Sequence, residues 1–125
     1  MKTFQILLDK TIIGTTLLEK ADPPMGVVFG AIQFSLKESP YDYFLSYCKR
    51  NNVDSTNYPE DKIISTRIIP GLAVLDYIGK EIKNDGCFIE GMDNEGFEII
   101  IAGIPYPFYE ELFPHHVKDY KNRFQ

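Results

Sequence analysis

The sequence predicts an α+β domain: an antiparallel sheet of about six or seven strands with two or three helices packed on one face. Three observations carry that expectation. Short apolar runs of strand length, with one-faced patterning over residues 3–8 and 27–34, stand between turn signals. One segment, opening at Ser39-Pro40, has helical spacing with both a start and a stop signal. The chain has 125 residues, 44% hydrophobic and 25% charged, which is enough to enclose one core and too few for two. It is read as a single globular domain over residues 1–125.

Phe4, Ile6 and Leu8 share one face of an extended run over residues 3–8, and Asp9-Lys10 supplies a two-residue turn into a second run over 11–18. The two form an N-terminal hairpin. Gly14 inside the second run marks a bulge or a close backbone contact. Asp22-Pro23-Pro24-Met25-Gly26 breaks the pattern, because prolines donate no hydrogen bond to a ladder, and forms a rigid loop. Val28, Ile32 and Phe34 then fall on one face of a third strand over 27–34.

Ser39 is a good N-cap, Pro40 suits the first helical position, and Asp42 places negative charge at the positive end of the helix dipole. Tyr41, Phe44, Leu45 and Cys48 follow on one face, with Lys49-Arg50 at the other end, so a helix is expected from 40 to about 51. Residues 51–61 are polar, contain Pro59, and read as a mobile surface loop. Isoleucines over 62–69 predict a strand, Pro70-Gly71 a turn, and residues 72–78 a second strand or a short helix. Asn84-Asp85-Gly86 and Asp93-Asn94-Glu95-Gly96 bracket a run over 87–92, and 97–104 follows, which makes a last hairpin. After Pro105-Tyr106-Pro107, residues 108–113 have helical spacing, and 115–124 read as a terminal helix covering one face with Val117, Tyr120 and Phe124.

Function classes narrow from the same residues. Eighteen acids against thirteen bases give a formal net charge of −5, which argues against nucleic acid as a partner. Apolar runs stop well short of the ~20 residues a membrane helix needs. The first apolar stretch ends at Asp9, so no export signal is expected. Cys48 and Cys87 are far apart and form no paired motif; reduced thiols in a cytoplasmic protein are the simplest reading.

Four constellations could carry chemistry. His115 and His116, with Glu111 and Asp119 four residues to either side of His115, could face a metal if one helix ran through them, but Pro114 interrupts it. The plainer reading is two ordinary histidines in a first helical turn, and no metal or cofactor is expected. Cys48 lies near the basic end of a predicted helix on its apolar face, where a thiol is inert; Cys87 has no signature around it. No nucleophile elbow or phosphate loop occurs, and Gly26 and Gly30 precede no Lys-Ser or Lys-Thr pair. Glu90 with Glu98 is one of many carboxylate pairs that 18 acids allow.

Charge placement is more informative. No Lys or Arg stands between Lys83 and Lys118, while Asp85, Glu90, Asp93, Glu95, Glu98, Glu110 and Glu111 are acidic, and Tyr106 and Tyr109 lie among them. Tyrosine with acid suits a grip on a basic protein surface, by aromatic anchoring and charge steering. The alternative is a solvated hairpin face with its aromatics in the core.

Residues 22–30, Asp-Pro-Pro-Met-Gly-Val-Val-Phe-Gly, preceded by Ile13-Gly14, and residues 103–117, from Gly103-Ile104-Pro105 through Pro114-His115-His116-Val117, resemble small uncharacterised bacterial proteins, some of immunity-protein type. The resemblance implies a bacterial cytoplasmic protein that neutralises a cognate toxin, and it brings no catalytic residue with it. The leading expectation is therefore a non-catalytic protein-binding module, an immunity-type inhibitor that docks an acidic, tyrosine-bearing surface on a basic partner. The alternatives are a small enzyme or ligand-binding protein using a pocket between sheet and helices with His115 or His116 as acid-base group, and a structural adaptor, monomeric or homodimeric through a sheet edge.

Overall fold

The N-terminal hairpin is β1 (Phe4–Leu8) and β2 (Thr11–Thr16), joined by Asp9 and Lys10, both at positive φ as a two-residue turn of this hand requires. The structure, a computed structural model, describes residues 2–124. Pairing of β1 with β2 slips between Ile6 and Leu7, leaving Ile13 as the extra residue of a bulge. Gly14 beside it is the close contact the sequence anticipates: a Cβ there would stand 2.6 Å from the Gln33 carbonyl oxygen.

The second strand ends earlier than expected. Leu18 turns to positive φ with its side chain fully buried, and the Glu19 carboxylate takes up the Ala31 N–H at 3.0 Å. Pairing resumes as β3 (Lys20–Asp22), a strand the sequence reading placed in no element, and Pro23–Met25 form a 3-10 turn that Gly26 ends at φ 67°. Beyond it, β4 (Val27–Phe34) lies between β3 and β9 over its first half and pairs β2 over its last three residues.

Helix α1 (Pro40–Arg50) has the expected bounds, and the Ser39 hydroxyl accepts the Asp42 N–H at 3.1 Å. The segment read as a mobile loop contains β5 (Ser55–Tyr58), paired along its length with β6 (Ile63–Thr66). After β7 (Leu72–Leu75) the chain turns at Asp76, whose carboxylate accepts the Ile78 and Lys80 N–H groups at 2.9 Å. The region read as strand or short helix is thus a strand and a turn. The last hairpin is β8 (Gly86–Met92) and β9 (Gly96–Ala102), followed by α2 (Phe108–Leu112) and α3 (Pro114–Arg123).

The molecule is α+β, as expected, with an antiparallel sheet ordered β5-β6-β8-β9-β4-β2-β1-β7 and β3 beside β4. It has nine strands among the described residues rather than six or seven, the additions being the short polar β3 and β5. The free side of β7 is met by the returning chain: Leu75 bridges Glu81, and the Ile82 N–H donates to the Val74 carbonyl at 2.9 Å. That chain continues into β8, so the sheet curls back on itself.

Its inner face carries one buried cluster, including Ile6, Val28, Ile64, Val74, Ile89, Ile99 and Ile101. Phe44 of α1 packs there with Phe34 and Phe97, while Phe113, between α2 and α3, meets Phe4 and Tyr109. Within α3, His116 and Val117 are the buried residues; Tyr120 is half-buried and Phe124 exposed, so the expected face of Val117, Tyr120 and Phe124 is rotated. No described helix is long and apolar enough to cross a membrane.

Candidate functional site

The outer face of the sheet is set by the same alternation that builds the core. Because Ile64, Ile89 and Ile99 point inward, Ser65, Glu90 and Glu98 point outward. Register aligns Ser65 with Glu90, Glu90 with Glu98, and Glu98 with Ala31, a row across four strands. A second row toward the hairpin tip holds Ile63 and Met92. Together with Glu95 and Lys20 these residues line a trough of about 650 Å³.

Glu90 and Glu98 are direct cross-strand neighbours of like charge, an arrangement that destabilises a bare sheet. Lys20 relieves part of it by donating to Glu98 at 2.8 Å, and that bond, with the charge of Glu98, holds the ammonium pKa above its ordinary value. Among the described residues Glu90 and Glu95 have no ion-pair partner. Among the described residues, the cation that forms an ion pair with the run without bases is Lys20, contributed by β3.

The other acids and tyrosines of that run separate. Asp93 faces α1: it accepts the Ser39 hydroxyl and, at 3.0 Å, the Tyr41 N–H, so it caps a helix. Tyr109 is 0% exposed; its hydroxyl donates to the Val27 carbonyl at 2.9 Å, and burial pushes its pKa up. It belongs to the core and leaves the partner surface. Tyr106 is half-exposed, stacks on Tyr109 at 5.2 Å between centroids, and donates to the Pro23 carbonyl at 3.1 Å. Asp85 and Tyr106 line a different cavity, at the end of the molecule formed by the Pro24–Gly26 and Gly103–Tyr106 loops. Glu110 and Glu111 are exposed on α2 and line neither.

The two histidines stand side by side in the first turn of α3. His116 is 8% exposed with Nε2 2.7 Å from the Leu18 carbonyl oxygen, which requires Nε2 to carry a proton and donate. His115 packs on it at 4.1 Å between ring centroids, and burial followed by the His116 charge lowers its pKa. Pro114 starts α3 afresh, leaving Glu111 on α2, and no group of three potential metal ligands converges among the described residues. Cys48 and Cys87 are buried free thiols whose pKa values burial raises, that of Cys87 to about 12.

Lys20, Met25 and Lys83 are among the lining residues that sequence reasoning missed. Each is an isolated residue whose position depends on β3 or on loop packing, so no local pattern announces it. No family model, curated protein or solved structure matches the chain.

Proposed function

We propose that this chain is a non-catalytic protein-binding module, an immunity-type inhibitor that holds a basic toxin against the outer-face trough. The observation that supports the reading is the opposed pair on the outer face of the sheet, exposed Glu90 and half-buried Glu98, of which, among the described residues, Glu98 alone is paired, with Lys20. A Lys or Arg from a partner, placed between Ser65 and Ala31, would remove the remaining repulsion, and Ile63 and Met92 offer apolar contact beside it. Net charge of −5 steers such a partner from a distance. The partner surface is thus Glu90, Glu95 and Glu98; Asp93 and Tyr109 act inside the fold.

An arginine-rich peptide titrated against the protein at low and high salt tests the trough. The expected result is binding that weakens with salt and falls roughly tenfold in Glu90→Lys, with an intact fold by circular dichroism. Equal binding by wild type and Glu90→Lys would sink the surface assignment. The inhibitor reading is tested separately, by co-expressing the protein with basic toxins and scoring cell survival with wild type against Glu90→Lys.

A further inference from the structure

The second cavity, about 450 Å³, has a different chemistry from the trough. Its rim carries Met25, 68% exposed, and Tyr106, 50% exposed, and Phe108 beside it is 38% exposed. Large apolar side chains gathered on a surface mark a contact site, whereas single ones do not. Tyr106 and the two loops are also held in place. Tyr106 is fixed by its bond to Pro23 and its stack on Tyr109, and the Ile104 N–H donates to the Gly26 carbonyl at 3.0 Å, joining the two loops. Anchors already ordered lose little entropy on docking.

The charges decide what docks. Lys83 and Asp85 are the charged residues lining the cavity, opposite in sign and separated only by Asn84. Neither is in an ion pair among the described residues; Lys83 Nζ stands 4.9 Å from the centroid of Phe108. A basic partner would meet Lys83 and an acidic one Asp85. A second copy of this chain, related by a two-fold axis near Asn84, would set Lys83 of each copy against Asp85 of the other. The two charges that line the cavity moreover cancel on a chain of net charge −5, so they add no net repulsion between two copies.

We propose that the surface of Met25, Lys83, Asp85, Tyr106 and Phe108 is the contact of a symmetric homodimer. It is separate from the trough, which stays open for another partner, and it does not depend on the proposed inhibitor function.

Sedimentation equilibrium of the whole chain across a range of concentrations reads this directly. The mass should rise from 14.4 kDa toward twice that value. Lys83→Asp and Asp85→Lys should each weaken association roughly tenfold, because a two-fold axis makes every substitution act twice. The double variant Lys83→Asp with Asp85→Lys should associate as wild type does, since opposite charges again face each other. Met25→Asp should give a monomer with an unchanged urea midpoint. A wild-type mass that stays monomeric throughout overturns the proposal, as does a double variant no better than the single ones. Dissociation by Ser55→Pro, with Met25→Asp still dimeric, would place the contact at the β5 edge and overturn it equally.

Discussion

The outer trough and the end cavity are built by opposite means. Strands build the trough, and their inward isoleucines fix the register so firmly that Glu90 must face Glu98 despite the repulsion. Loops build the cavity, and its two charges are opposite in sign. A ladder can hold like charges together because its geometry is settled on the other face of the sheet. A loop with the same pair would move apart. Unrelieved charge on rigid strands is therefore what the proposed basic partner would neutralise.

The strongest way to break this comparison is to remove the support under one region alone. Tyr109→Ala should cost about 3–5 kcal/mol in urea unfolding, since it empties a fully buried aromatic site beneath Tyr106. Tyr109→Phe, which loses only the bond to Val27, should cost about 1 kcal/mol. Next is Asp93→Ala, expected to cost about 1–3 kcal/mol because the Ser39 hydroxyl and Tyr41 N–H lose their acceptor. Glu95→Ala, two residues further on and exposed, should change stability by no more than ~0.5 kcal/mol. Equal costs for the two would show that Asp93 does not cap α1.

Glu90→Gln should sharpen the contrast by raising stability about 0.2–1 kcal/mol, because it removes half of the like-charge pair. An unchanged or lower urea midpoint would show that the pair is not strained. The smallest effect concerns pH. Burial and His116 hold the His115 pKa below its ordinary 6.5, so on acidification the unfolded chain takes up this proton first. Stability from this group is complete above about pH 6.5 and declines as pH falls through that value toward the folded pKa. His115→Gln should flatten that part of the urea midpoint against pH, and identical slopes would count against it.

Elements with a strong local signal were legible in the sequence. The Ser39-Pro40 start with Lys49-Arg50 at the end fixed α1, and alternation between turn residues fixed the β1–β2 and β8–β9 hairpins. β5 was hidden because Ser55–Tyr58 is a polar edge strand with partly exposed residues on both faces, so no apolar alternation develops. β3 was hidden by its three-residue length and the prolines after it. At the site, Glu90 with Glu98 stood out from the other carboxylate pairs only once register set them directly opposite each other. Asp93 was misread as a surface acid because its partners lie 52 and 54 positions away. Tyr109 was misread because a five-residue helix has too few positions to show which face is buried.

The position of β4 has a consequence for synthesis. This strand emerges early, yet one side of it is completed only by β9, Gly96–Ala102. At ~5–20 residues per second the nascent chain holds that edge open for seconds, with the Val28 and Gly30 side of the ladder unpaired. The N-terminal half therefore cannot mature by itself on the ribosome. The sheet is closed late, when the last hairpin arrives, and the core later still, when Phe113 packs on Phe4.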